Sequence, residues 1–269
     1  MSGATREATA LVLAGRREGT LDPLAAAHGV ADKCLVPVLG TPCIEYVLTA
    51  LEAAPEIGRI VVSINDPAIL EGLPTADRLV AAGRLTALKA EHNLAESVLA
   101  AAKHATFPIL ITTADNVLMT PESIALMIAG AGDADAAAAF ARKADILAAH
   151  PEGQRRFYEF ADDGYSNCNT YWIAKPDVLR VVEIFREGGQ FAKNPRRVIN
   201  AFGLINTLMF RQGWLSLASA FARISKRMKV RLVPVVLADG SYAIDVDNER
   251  THACASAIMA RRRGVEVAA

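Results

Sequence analysis

The sequence predicts an α/β fold in which a mainly parallel, mixed sheet is flanked by helices. The first observation is the alternation of short apolar runs with amphipathic stretches in the first half of the chain. Strands that alternate with crossover helices build a parallel sheet with both faces covered. The second is composition: 52% hydrophobic and 22% charged residues in a chain of 269 can bury a large core.

The first strand is predicted at residues 10–15, where the apolar run ALVLAG ends in a glycine. A helix is predicted over residues 43–54, because apolar residues recur at i, i+3, i+4 and i+7 from Ile44. Pro42 suits the first turn of this helix, where a missing N–H costs nothing. Similar patterns predict strands at 35–39, 59–64 and 108–113, a helix at 93–104, and a helix that starts at Thr120-Pro121.

The second half of the chain predicts a hairpin, a helical stretch and a closing strand–helix unit. The hairpin turns at residues 162–164, and most of 176–228 is expected to be helical, with a helical insertion at about 190–228. No linker is visible, so we predict a single domain over residues 1–269. The remaining elements are strands at 156–160, 169–173, 230–237 and 242–246 and a helix at 248–263.

Charge and cysteine content argue against several classes of function. Lys and Arg number 29, as do Asp and Glu, so the net charge is zero and no nucleic-acid partner is expected. Four cysteines without a CxxC pair argue against a disulfide scaffold or a zinc site. No signal-peptide pattern and no run of about 18 apolar residues occur. We therefore expect a cytoplasmic protein without a transmembrane segment.

Two basic segments early in the chain are suited to phosphate binding. The segment LAGRREG at residues 13–19 follows the first strand with a glycine turn, whose N–H groups suit a phosphate, although a simple turn explains it equally well. It contains neither GxGxxG nor a Walker A pattern, which argues against a dehydrogenase and a P-loop ATPase. Lys33 is either a point charge for a polyphosphate or an ordinary surface lysine.

Acidic residues near two later strands indicate a metal site. Asp115 ends the apolar strand ILITTA, and ligands of open α/β sheets bind at the carboxyl ends of strands. A carboxylate there suits Mg²⁺ held together with substrate phosphates; the alternative is that Asp115 or Asn116 only caps the next turn. Asp245 and Asp247 point to opposite sides if 242–246 is a strand, so that one of them reaches a metal shared with Asp115. The alternative is an N-cap for the last helix.

The order of these segments resembles the MobA-like NTP transferases. The segments are LVLAG, DK, LVPVLGTPCIEYVL, a helix start with Ser97-Val98, ILITTAD and IDVDN. The resemblance spans about residues 9–175 and 229–263. It implies a GT-A-like, Rossmann-like fold. It also implies a nucleotidyltransferase related to sugar-phosphate nucleotidyltransferases and small-molecule cytidylyltransferases.

The resemblance assigns roles to individual residues. It places Leu13, Ala14 and Gly15 against the base and the first phosphates. The family usually continues as G-x-G-x-R-M, so here Arg16 replaces the second glycine, and Arg16 or Arg17 supplies the positive charge. The remaining roles that it implies are phosphate contact for Lys33, metal binding for Asp115 and Asp247, nucleotide binding for Asn93 and Ser97, and acceptor binding for Arg156, Tyr158 and Asn169.

The resemblance implies a Mg²⁺-dependent reaction in which a small phosphorylated acceptor attacks the α-phosphate of an NTP and pyrophosphate leaves. Lys33 and Arg16 would stabilise the developing charge. Ser97-Val98 slightly favours CTP, and the acceptor would be a sugar phosphate, a polyol phosphate or a phospho-acid. Two alternatives are a non-catalytic nucleotide-binding regulatory module of the same fold and, with less support, an NAD(P)-dependent oxidoreductase.

The apolar stretch at residues 198–228 leaves the assembly of the protein open. It is followed by basic residues at 226, 227 and 229. Core packing, the interface of a homodimer and peripheral contact with a membrane all explain such a pattern. Packing in a core or an oligomer is the favoured interpretation.

Overall fold

A computed structural model describes residues 7–16, 21–185, 203, 209 and 212–264. Its strands are β1 (Ala8–Leu13), β2 (Pro37–Val38), β3 (Thr41–Pro42), β4 (Ile57–Ile64), β5 (Leu85–Lys89), β6 (Ile109–Thr113), β7 (Ala136–Arg142), β8 (Tyr158–Glu159), β9 (Gly164–Ile173) and β10 (Leu232–Leu237). Its α-helices are α1 (Pro23–Ala27), α2 (Cys43–Ala53), α3 (Pro74–Ala81), α4 (Leu94–Ala102), α5 (Pro121–Ala131), α6 (Lys143–Ala149), α7 (Leu217–Met228) and α8 (Glu249–Arg263). Short 3-10 helices cover Lys33–Leu35, Pro67–Leu70, Pro176–Phe185 and Gly240–Ala243.

The main sheet is mostly parallel, as predicted. Its strand order is β10-β7-β9-β6-β1-β4-β5, with β8 paired to β9. Strand β9 alone runs antiparallel to both of its neighbours on this path, β6 and β7, which makes the sheet mixed. After β1 the chain builds β4 and β5 on one side and then returns to β6 on the other. The switch point between β1 and β6 therefore opens at the carboxyl edge of the sheet, where α/β proteins bind ligands.

Apolar cores cover both faces of the sheet. Ala10 and Val12 of β1 pack into the core that includes α2, whereas Leu11 packs into the core that includes α4. This alternation is the period-2 pattern of a strand, and burial on both faces explains why β1 is apolar throughout residues 10–13. The helices thus fix the strand ends that carry the site.

The segment before α8 differs from its prediction. Residues 242–246 are not a strand: Gly240–Ala243 is a 3-10 helix, capped by the side chain of Asp239, which accepts from Ser241 N at 2.9 Å. Residues 244–248 then follow without regular structure. The apolar pattern was misleading because Tyr242, Ala243 and Ile244 are buried by loop packing and not by strand pairing.

Other differences are smaller. The strands β5 and β7 were not assigned from the sequence, and Pro42 is the residue before α2 and not part of its first turn. Much of the predicted insertion at 190–228 lies outside the described residues, and α7 is helical as expected. Within the described part of the chain, none of the helices has the length and apolar character needed to cross a membrane.

Candidate active site

Lys33 lies between two carboxylates at the switch point of the sheet. Its Nζ donates to Asp115 Oδ2 at 2.6 Å and also to Asp247 Oδ1. The side chains of Lys33 and Asp115 are only 22% and 14% exposed. Burial alone would lower the pKa of Lys33, but the charges and hydrogen bonds of Asp115 and Asp247 raise it above its usual value. The ammonium group is therefore fixed in its charged form.

Asp245 is the third carboxylate of the same cluster. The three aspartates each offer an oxygen atom, and these atoms all lie within 4.8 Å of one another. Opposite orientations of Asp245 and Asp247 are expected only if this segment is a strand, and it is not. The backbone N–H of Asp247 donates to Asp245 O at 3.1 Å in a tight turn, and both side chains reach Asp115. The backbone N–H of Val246 donates to Asp115 O at 3.0 Å and holds the segment against the end of β6.

The cluster perturbs the two later aspartates in opposite directions. Burial, followed by the negative charges of Asp247 and Asp115, raises the pKa of Asp245 well above its usual value. Burial would also raise the pKa of Asp247, but the charge and hydrogen bond of Lys33 outweigh this and lower it. One lysine thus offsets only part of the negative charge that the three carboxylates bring together.

Asn169 reaches this cluster from an irregularity in β9. Three residues of β7, Ala138–Phe140, lie opposite five residues of β9, Asn167–Tyr171. Asn169 lies in this bulge with φ 48°, a left-handed conformation that asparagine tolerates better than most residues. Its Nδ2 donates to Asp245 Oδ2 at 2.8 Å. A bulge that re-aims a side chain is common next to active sites.

Asn116 connects the bulge to the end of β6, and sequence reasoning missed this role. Its buried Nδ2 donates to Cys168 O at 3.1 Å and to Thr112 Oγ1 at 3.2 Å. The sequence pattern suggests only a cap for the next turn. The position of Asn116 directly after Asp115, at a predicted strand end, was the one signal in the sequence for a role at the site.

The opposite wall of the site is built by the turn after β1. The backbone N–H of Arg16 donates to Asn65 Oδ1 at 2.5 Å, and its Nε pairs with Asp32 Oδ1 at 3.0 Å. Leu13 and Ala14 are half-buried, and Gly15 and Arg16 are exposed. A side chain at Gly15 would place its Cβ 2.9 Å from that of Ala90, so the turn lies close to the segment after β5. Arg17 lies outside the described residues.

Asn93 and Ser97 support that same segment. Ser97 Oγ accepts from Glu91 N at 3.0 Å, and Asn93 Oδ1 accepts from Glu96 N at 2.9 Å as the N-cap of α4. These bonds hold residues 90–93 beside the turn after β1. The structure brings neither side chain into hydrogen-bond contact with Lys33 or Asp115.

The residues expected to bind the acceptor have different surroundings. Asn169 is part of the aspartate cluster, whereas Tyr158 lies half-buried in β8, where burial raises the pKa of its hydroxyl group. Arg156 lines a basic cavity of about 420 Å³ next to Asn248, the residue after Asp247. The other lining residues are Gln154, Arg155 and Arg250.

The carboxylate cluster fits a divalent cation with oxygen ligands. Asp115 Oδ1 is buried and has no hydrogen-bond partner among the residues that the structure describes, so it is left with unused acceptor capacity. Asp245 and Asp247 add carboxylate oxygens within 4.8 Å. One or two carboxylates, completed by substrate phosphates and water, form the usual protein site for Mg²⁺.

Together, the fold and the site define an α/β domain with a lysine and a carboxylate cluster at the ligand-binding edge of its sheet. The sequence of residues 10–229 matches the family model of the MobA-like NTP transferase domain. The chain belongs to this family, which confirms the resemblance seen in the sequence. Comparison with curated proteins gives no match.

Solved structures share the fold. The chain is similar to a hypothetical transferase from Thermus thermophilus, with 24% identity, a TM-score of 0.75, and 91% of this chain and 99% of that chain covered. It is similar to a CMP:2-keto-3-deoxy-manno-octonic acid synthetase complexed with CTP, with 12% identity, a TM-score of 0.56, and coverage of 95% and 99%. A 2-C-methyl-D-erythritol 4-phosphate cytidylyltransferase, also from Thermus thermophilus, has 13% identity, a TM-score of 0.51, and coverage of 95% and 99%.

Proposed function

We propose that this protein transfers a nucleotidyl group, with CMP favoured, from an NTP to a small phosphorylated acceptor and releases pyrophosphate. The observation that carries this proposal is the Lys33 ammonium group held between Asp115 and Asp247 at the switch point of the sheet. Family membership supports an NTP as the donor. The acceptor class is a sugar phosphate, a polyol phosphate or a phospho-acid.

The reaction brings two anions together, and the residues at the site offset their repulsion. Lys33 donates hydrogen bonds to the phosphates of the NTP, and Arg16, oriented by Asp32, adds a second positive charge at the turn after β1. Asp115, Asp245 and Asp247 would hold Mg²⁺. When bound, Mg²⁺ supplies Lewis-acid charge neutralisation at the phosphates. An ionised phosphate acceptor is already a nucleophile, so the reaction needs no general base.

The nucleotide binds along the edge formed by the turn after β1 and residues 90–93. Gly15 permits these two segments to pack closely, and Asn93 and Ser97 hold residues 90–93 in place. CTP is favoured because the helix start at Ser97-Val98 resembles that of cytidylyltransferases. Two of the similar structures are a synthetase complexed with CTP and a cytidylyltransferase, which supports the same choice.

The acceptor's anionic group binds in the basic cavity beside Asn248. Arg156 lines this cavity and makes no hydrogen bond or ion pair with any residue that the structure describes, so its guanidinium group is available for a bidentate contact. Arg155 is already paired with Glu152 at 2.8 Å. Arg156→Gln should therefore raise KM for the acceptor and leave KM for the NTP unchanged, and Arg155→Gln is the matched control.

The proposal is tested by pyrophosphate release with Mg²⁺, each of the four NTPs, and pools of phosphorylated sugars, polyols and acids. We expect release with one NTP, CTP first, and one acceptor class, and a loss of release in Asp247→Asn but not in the surface control Asp177→Asn. NTP binding without release across the panel would favour the non-catalytic module. Binding of a reduced nicotinamide in place of NTP would favour the oxidoreductase.

A further inference from the structure

A second group of metal-ligating side chains lies beside the aspartate cluster and has no part in the proposed reaction. It consists of His28, which follows α1, and of Glu249 and His252 from the first turn of α8. One ligand atom from each residue lies within 4.8 Å of the other two. The two residues of α8 are three apart, so they occupy the same face of the helix.

The hydrogen bond of His252 leaves one of its ring nitrogen atoms with a lone pair available for a metal ion. Its Nε2 lies 2.8 Å from Pro37 O, and a carbonyl oxygen only accepts, so Nε2 carries the proton. The lone pair of the neutral ring is therefore on Nδ1. Histidines that bind metals usually donate their other ring N–H to a carbonyl or carboxylate oxygen in this manner.

His28 supplies the second unused lone pair. Its Nε2 is buried and has no hydrogen-bond partner among the described residues. This atom lies 3.9 Å from Glu249 Oε2, and the two imidazole rings are 4.5 Å apart between centroids, tilted by 47°. Two ligand atoms on one tetrahedral zinc ion are about 3.4 Å apart, given bonds of about 2.0–2.1 Å. A small side-chain adjustment would thus bring the three atoms onto one ion.

We propose that His28, Glu249 and His252 form a second metal site that takes a borderline transition-metal ion, Zn²⁺ or its substitute Co²⁺. Two imidazoles and one carboxylate select such ions over Mg²⁺, which prefers oxygen ligands only. Three protein ligands leave a fourth position for water. The ion joins the start of α8, just after Asp247, to the segment that leads into Lys33, so it braces two segments of the nucleotide site. This proposal does not depend on the transferase reaction.

The test is binding of Zn²⁺ by calorimetry and of Co²⁺ by visible absorption, both in excess Mg²⁺. We expect one site, a Co²⁺ spectrum of tetrahedral type, and a rise in the thermal midpoint with Zn²⁺. His28→Ala and Glu249→Gln should each weaken binding by about tenfold or more. Both are preferred to His252→Ala, which would also remove the bond to Pro37.

Two controls locate the ion. His150→Ala removes another histidine, whose Nδ1 lies 3.3 Å from Cys254 Sγ, and should leave Zn²⁺ binding unchanged. The double variant Asp115→Asn/Asp247→Asn should also retain it. Unchanged binding in His28→Ala and Glu249→Gln would overturn the proposal, and so would loss of binding in the double aspartate variant, since the ion would then occupy the carboxylate cluster.

Discussion

Replacement of Lys33 by methionine separates the two roles of this residue. Methionine retains an apolar stem of similar length and removes the ammonium group. In the absence of ligands, that group is bonded to Asp115 and Asp247, the carboxylates proposed to hold the metal. We therefore expect Lys33→Met to lower turnover but to raise the affinity for a divalent cation, because the lysine no longer competes for the same oxygens.

The structure sets the size of both effects. A hydrogen bond to a charged group contributes about 1.5–3 kcal/mol, and the largely buried Lys33–Asp115 contact falls in this class. Asp247 is 55% exposed, so its contact adds about 0–1 kcal/mol. Removal of an interaction worth about 2–3 kcal/mol should raise cation affinity about tenfold or more. Loss of a charge that acts on the transition state should lower kcat by about 10²–10³.

Mn²⁺ binding without nucleotide, followed by paramagnetic resonance, measures the affinity, and pyrophosphate release measures turnover. Thermal unfolding without metal should show a midpoint lower by about 4–12 °C, at about 2–4 °C per kcal/mol. Lys175→Met is the matched control, since Lys175 forms a 2.9 Å ion pair with Asp135 outside the site. Weaker Mn²⁺ binding in Lys33→Met, or near-normal turnover, would refute this reasoning.

Three further substitutions test how the site is held. Asn169→Ala should lower turnover about tenfold, because the hydrogen bond to Asp245 is lost. Asn169→Gly suits the positive φ and should recover stability but not turnover, whereas recovery of both would mean that only the backbone conformation matters. Asn116→Ala should lower the free energy of unfolding in urea by about 1–3 kcal/mol, because Cys168 O loses its buried hydrogen-bond donor. An unchanged urea midpoint would contradict this. Gly240→Ala would place a methyl group 2.2 Å from a backbone carbon of α6 and should cost about 1–3 kcal/mol or more in the same assay.

The sequence was sufficient for elements whose pattern is local. The apolar run at residues 10–13 of β1, the helical spacing of α2 and the Thr120-Pro121 start of α5 each have one physical explanation, and the structure contains all three. Strand β7 is ambiguous in the sequence because AAAAFAR lacks β-branched residues, and its pairing with β9 and β10 decides its conformation. Tertiary pairing of this kind has no signal in the segment itself.

The site was predictable only in part for the same reason. Asp115 follows from its position at a strand end, and the family resemblance adds Lys33 and Asp247; the structure brings the three together. The inclusion of Asp245 depends on the irregular path of residues 244–248. The position of Asn169 depends on a bulge that only the register between β7 and β9 reveals. Irregular backbone placed these two side chains, and periodicity does not report it.

Nucleotidyl transfer differs from phosphoryl transfer in the fate of the α- and γ-phosphates, so the two ends of the triphosphate are followed separately. CTP labelled with ³²P at the α- or the γ-phosphate is incubated with Mg²⁺ and the acceptor class found in the panel, using the wild-type protein and Asp115→Asn. We expect the α label to enter the product and the γ label to leave as pyrophosphate, and both events to be lost in a folded Asp115→Asn variant. Transfer of the γ label to the acceptor, or full activity of Asp115→Asn, would contradict this expectation.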